Sequence, residues 1–148
     1  MVQKIEKVMY TTRVVATGGR SGTAQSDDGH LLLELTRPGA RSGTNPEQLL
    51  AAGWGACFAS TLVVVAKQAG QTAEGVRVAV TVRLGTAGDG SYTLAAQIRA
   101  AVPALDAGVL EALMEQAHGR CPYSRALRDS IEVDLGLLDE GETAPTGV

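Results

Sequence analysis

The stretch from Thr44 to Ala69, TNPEQLLAAGWGACFASTLVVVAKQA, constrains this chain more than any other. Thr44 or Asn45 can cap the free amides of a helix, Pro46 suits its first turn, and Glu47 sets a carboxylate at the positive end. Leu49, Leu50, Ala51 and Ala52, and later Leu62, Val63, Val64, Val65 and Ala66, leave it hardly a polar side. A helix apolar all round must be buried all round. That is awkward for a monomer with a single sheet and natural for a homodimer that packs such helices between two sheets.

Two glycines, Gly53 and Gly55, precede Cys57 within this stretch. Each costs about 1 kcal/mol against Ala in a helix interior. In one straight helix Glu47 and Cys57 stand about 15 Å apart along the axis and cannot share a site. A bend at Gly53–Trp54–Gly55 would instead bring Cys57 to the start of a second helix, where free amides favour a thiolate. A break is therefore predicted there. Cys57 equally fits a small core residue, since free Cys is among the most buried types.

The 148 residues, 45% hydrophobic and 20% charged, suit one globular domain with a real core. That domain is expected over 1–138. The tail 139–148, DEGETAPTGV, has nothing to bury and is expected to be disordered. A net charge of -3 argues against a nucleic-acid or anionic-membrane surface. Charges run through MVQKIEKVMY where a signal peptide would be apolar. The central stretch, holding Ser60 and Thr61 and broken by Lys67, reads as too short to span a bilayer. A cytoplasmic protein is expected, in which two cysteines serve redox or catalytic chemistry rather than as staples.

Lys4 to Ala16 is rich in Val, Tyr and Thr and predicts a first strand. It runs into TGGRSG, whose glycines permit a tight turn with Arg20 at or near the tip. Arg20 is a solvated loop residue unless something gives it a partner. Asp27-Asp28-Gly29 signals a hairpin between Thr23–Ser26 and HLLLEL. Val76, Val78, Val80, Val82 and Leu84 alternate with polar or small residues, and Tyr92 to Val102 forms the hairpin partner. Asp106 caps a second helix with the stripe Val109, Leu110, Leu113, Met114 and Ala117. Gly119 and Pro122 close it, leaving Cys121 just beyond its end. Ser124 to Arg128 adds a turn, and Ile131 to Leu137 a last strand. The order is three strands, helix, two strands, helix, strand: α+β with mostly antiparallel pairing.

Cys121 stands in CPYSRAL. Cys-Pro-Tyr-Ser is also similar to a glutaredoxin active site, but a thioredoxin-like fold puts that cysteine directly after a strand, and here a helix precedes it. His118, Cys121 and Cys57 would make three metal ligands without paired spacing or a fourth. His118 at a helix end more often packs or caps.

TNPEQLLAAGWGACF followed by CPYSRA, with TGGRSG upstream, resembles the organic hydroperoxide resistance proteins of the OsmC-like family. The resemblance runs from about Ile5 to Leu137, and three motifs in order make it specific. Trp54 stands where tyrosine is common, the loop before Thr44 is short, and the tail is extra. The resemblance implies a peroxidatic Cys57, a resolving Cys121, an Arg20 that stabilises the Cys57 thiolate and a Glu47 that holds Arg20. It also implies an intertwined homodimer with two active sites at the subunit interface and organic hydroperoxides as substrates. A lipoylated protein or small dithiol would act as reductant, and no flavin, haem, metal or nicotinamide cofactor is implied.

Physical chemistry is consistent with those roles. The thiolate attacks peroxide oxygen, yet an ordinary Cys near pKa 8.5 is only a few per cent thiolate at neutral pH. An Arg within about 4 Å contributes roughly 4 kcal/mol at an effective dielectric near 20, before desolvation. Glu47 would limit the cost of a partly buried guanidinium and fix its direction. Trp54, Phe58 and the valines are expected to give apolar surroundings suited to an alkyl hydroperoxide. Two other functions fit the residues: a monothiol disulfide oxidoreductase acting through Cys121, and a small-molecule binding module with inert cysteines.

Overall fold

Strand patterns and helix signals resolve, in a computed structural model that describes residues 2–139, into two compact units that meet in sequence between Pro46 and Glu47. The tail expected to be disordered lies, over 140–148, outside the described residues.

In the first unit β1 (Val14–Thr17), β2 (Thr23–Ser26) and β3 (Leu32–Glu34) form an antiparallel sheet in that order. Thr17 pairs with Thr23 across a tight turn, and Ala24 pairs with Leu33. The strand predicted from Lys4 is much shorter than expected. β2 is only four residues long and on its β1 side faces just Val14–Thr17, with one further bond from the Asp27 amide to the Arg13 carbonyl, so the ladder stops there. Ile5, Val8 and Tyr10 are β-forming side chains left exposed, and Met9 beside them is exposed too.

The second unit starts with α1 (Pro46–Gln68), followed by β4 (Arg77–Thr86), β5 (Tyr92–Ala101), α2 (Ala107–Arg120), α3 (Pro122–Leu127) and β6 (Glu132–Leu137). β4 and β5 pair antiparallel along their whole length. β6 pairs parallel to β5, from Ala95 opposite Glu132 to Ala100 opposite Leu137. The two helices between these strands supply the crossover that parallel neighbours need. Trp54, Phe58, Leu62, Val65 and Ala66 of α1 share one core with Ile98 of β5 and with Leu110, Leu113 and Met114 of α2.

Three sequence expectations about α1 change. First, it is continuous over 23 residues, with no break at Gly53–Gly55. Gly53 supplies room rather than a bend: a Cβ there would stand 2.7 Å from the Tyr123 hydroxyl oxygen. Second, α1 is not buried all round within one chain. The sheet and α2 cover one side, and Ala52, Ala56, Ser60, Val63 and Val64 remain exposed. Third, α1 is long and apolar enough to cross a bilayer by length and composition. Its fully buried Trp54, Phe58 and Leu62 make it a core helix instead.

Candidate active site

α1 and the junction between α2 and α3 bring the two cysteines together. Cys57 lies in the middle of α1, half-buried, while Cys121 is fully buried. Their sulfurs are 3.3 Å apart and both thiols are free. A disulfide needs about 2.05 Å, so bonding requires a contraction of only about 1.3 Å.

Each cysteine is held by its own backbone. The Thr61 hydroxyl donates to the Cys57 carbonyl at 2.9 Å. The Cys121 amide donates to the Ala117 carbonyl at 2.8 Å, and its own carbonyl accepts from the Arg125 amide at 2.9 Å. Cys121 thus closes α2 and opens α3. A helix C-terminus alone does not describe its surroundings, and helix-end charge does not assign its role.

The continuous α1 also removes Cys57 from any helix start. Burial is the first influence on its thiol and pushes the pKa up; the neighbouring Cys121 raises it further, while the Tyr123 backbone amide donates toward the sulfur and lowers it. The raising influences win. The one helix-start amide that assists the thiolate therefore belongs to α3, not to α1.

Arg20 sits, exposed, in a 3-10 turn of Gly19–Ser21 in the first unit. The turn demands glycine. Gly18 has φ of 80°, and a Cβ on Gly22 would lie 1.7 Å from the Thr17 carbonyl oxygen. Glu47 stands in the first turn of α1. Because α1 is unbroken, Glu47 and Cys57 of one chain remain about 15 Å apart along the helix. One guanidinium, with hydrogen bonds near 3 Å on either side, does not span that distance.

Trp54 and Phe58, expected near the substrate, are fully buried in the core and present no surface to it. The Trp54 indole donates instead to the Ser124 hydroxyl at 2.9 Å. Ser124 was not among the sequence candidates. The available signal was Trp54 itself, since a buried indole N–H usually finds an acceptor. His118 leaves its Nδ1 buried without a hydrogen-bond partner, and desolvation lowers its pKa, with Arg128 adding to the effect. Among the described residues no group of three or more His, Cys, Asp or Glu side chains stands where a metal ion could be held. An open cleft of about 680 Å³ runs between Arg83 and Glu132, and neither cysteine lines it.

A helix-borne thiol thus faces a second thiol at the start of a short helix, and comparison with known proteins gives the chain its family. Residues 39–136 match the OsmC-like protein family. The organic hydroperoxide resistance protein of Xanthomonas axonopodis pv. citri is 41% identical over 138 residues, covering 89% of this chain and 96% of that one. The crystal structure of OhrB of Bacillus subtilis aligns with a TM-score of 0.83 at 36% identity, covering 88% of this chain and all of that one (100%). An organic hydroperoxide resistance protein of Legionella pneumophila gives 0.82 at 38% identity, over 88% and 98% of the two chains. The chain belongs to the OsmC-like family, within its organic hydroperoxide resistance group.

Proposed function

We propose that this protein is a thiol-dependent peroxidase that reduces organic hydroperoxides to alcohols. The observation that carries the proposal is the 3.3 Å approach of a half-buried Cys57 to a fully buried Cys121. The Cys57 thiolate attacks the distal peroxide oxygen; the O–O bond breaks, and the departing alkoxide takes a proton to become the alcohol. Cys57 is left as a sulfenic acid. The Cys121 sulfur then attacks it, forming the disulfide and releasing water. A dithiol such as a lipoyl group returns two electrons and two protons by exchange, leaving as its own disulfide. Full burial of Cys121 disfavours its acting alone on a bulky disulfide substrate.

Burial and the neighbouring Cys121 raise the Cys57 pKa, and a nearby cation would lower it again. Arg20 is that cation in the proposal, oriented by Glu47. The continuous α1 then carries a consequence: the Glu47 that serves a given Cys57 comes from a second copy of the chain. An intertwined homodimer with sites at the subunit interface meets this requirement. The exposed apolar side of α1 and the exposed β-forming residues between Ile5 and Tyr10 support it. Because the first unit carries Arg20 and the second the remaining three groups, residues 1–138 are taken as one functional domain. The net charge of -3 supports an enzyme without nucleic-acid or anionic-membrane partners, and a cytoplasmic location is part of the proposal.

The test is consumption of an alkyl hydroperoxide and of hydrogen peroxide, each with dihydrolipoamide or glutathione as reductant. Preference for the alkyl hydroperoxide with dihydrolipoamide is expected. Silence toward every peroxide, with both thiols reactive to a small alkylating agent, would remove the proposal.

A further inference from the structure

The short α3 is seated on α1 at three successive points, all inside the second unit. Tyr123 lies over Gly53, with its hydroxyl oxygen 2.7 Å from where a Cβ would be. The Trp54 indole donates to Ser124 at 2.9 Å. Cys57 meets Cys121 at 3.3 Å. Trp54 and Cys57 are spaced i, i+3 on one face of α1, and their partners Ser124 and Cys121 lie at the same spacing in the first turn and at the N-cap of α3. The two elements therefore meet in register, and the hydrogen bond is the polar pin of that register.

That pin is unusually constrained. Indole has one donor and no acceptor. Both partners are wholly shielded from solvent, at 0% exposure for Trp54 and for Ser124, so water cannot replace either. α3 has six residues, too few to hold a helix without tertiary contacts. Cys121 is at 0% exposure as well, so its sulfur reaches an oxidised Cys57 only from where it already sits.

We propose that Trp54 and Ser124 are positioning residues for the resolving step: their hydrogen bond holds Cys121 within bonding range of Cys57 and so sets how fast the disulfide closes. In the peroxidase cycle, on whose proposal this kinetic role rests, two reactions compete for the Cys57 sulfenic acid. Condensation with the Cys121 thiol forms the S–S bond and releases water. Attack of the sulfenate sulfur on a second hydroperoxide breaks its O–O bond and yields the sulfinic acid and another alcohol. A misplacement near 1 Å slows a proximity-driven step by up to about a hundredfold. The pin thus decides between a reusable enzyme and a spent one.

The test uses the full chain and the variants Ser124→Ala, Trp54→Phe and the two combined. In single-turnover mixing with an alkyl hydroperoxide, Ser124→Ala is expected to keep its first-step rate within about twofold of wild type. Its disulfide closure should slow about tenfold or more, and sulfinic acid by mass spectrometry should rise in proportion. The combined variant removes donor and acceptor together, so thermal stability should recover toward wild type while closure stays slow. A second arm needs no peroxide: equilibration with glutathione redox buffers gives the effective concentration of the Cys57–Cys121 pair, expected to fall about tenfold in Ser124→Ala. Unchanged effective concentration overturns the pin, and so does closure that recovers along with stability. Should the wild type leave alkyl hydroperoxides untouched, the peroxidase proposal fails, and the glutathione arm still decides the pin.

Discussion

The two cysteines meet from opposite kinds of structure. Cys57 rides on a continuous 23-residue helix whose position is secured by Trp54, Phe58 and Leu62 in the core. Cys121 occupies a junction between helices, fixed by backbone bonds to Ala117 and Arg125 and by the contacts of α3 with α1. The first is partly open to solvent, and burial opposes its ionisation; the second is closed off entirely. The comparison teaches that packing within the second unit supplies proximity, while burial and the neighbouring Cys121 raise the Cys57 pKa. In the proposed cycle, the charge that offsets this comes from Arg20.

The sharpest way to break that comparison is to exchange the roles. Cys57→Ser is expected to abolish reaction with hydroperoxide. Cys121→Ser should consume one equivalent, release one alcohol and stop at a sulfenic acid that over-oxidises in excess peroxide. Mass spectrometry after single turnover reads both outcomes, and the reverse pattern would reassign the roles.

Next in size is Arg20→Ala. Removing the imported charge should slow the first step at pH 7 by about a hundredfold, close to what roughly 3 kcal/mol represents. Arg20→Lys should recover only part, because an ammonium cannot make the two-pronged contact to a carboxylate. The variant also exposes the raised thiol pKa. Its rate should climb as pH rises past about 8.5, where wild type is already level. A folded-state pKa above the unfolded value favours the protonated thiol in the fold. That contribution to stability is full below about 8.5 and is lost as pH rises through the folded value. Denaturant midpoints of Arg20→Ala between pH 7 and 10 check the sign.

Smaller still is Gly53→Ala. If the glycine were a hinge, the substitution would change the helix. As a seat for Tyr123, it should leave helicity intact. About 1 kcal/mol of helix propensity is gained, and a comparable amount is lost in displacing the hydroxyl end of a ring that is 40% exposed. Thermal denaturation should show a net change within about 1 kcal/mol. Thr61→Val, which deletes the hydroxyl contact to the Cys57 carbonyl, should cost less than about 1 kcal/mol.

Much of the second unit was legible from sequence. Alternation from Val76 to Leu84 and from Tyr92 to Val102 marked β4 and β5 to within two residues, and the stripe from Val109 to Ala117 marked α2. The hairpin at Asp27–Gly29 and the glycine turn around Arg20 were visible because their residues answer to backbone geometry. What stayed hidden depended on neighbours. Glycine at position 53 has the same letter whether it bends a helix or admits a phenol ring. Trp54 counts as apolar until its one donor needs an acceptor far along the chain. β6 shows its alternation, not the direction of its partner. Residues 4–13 carry strand-forming side chains, yet a strand forms only against another edge.

The unbroken α1 has a genetic reading. Under the proposed dimer, a chain with Glu47→Ala and a chain with Cys57→Ser are each inactive alone. Mixed in equal amounts and allowed to reassort, about half the dimers hold one of each. In every mixed dimer one site pairs an intact Cys57 with an intact Glu47, so about a quarter of wild-type activity should return. Two such alleles would complement each other in one cell. A single defective allele, by the same logic, would impair one site of each dimer that its product joins with a normal chain.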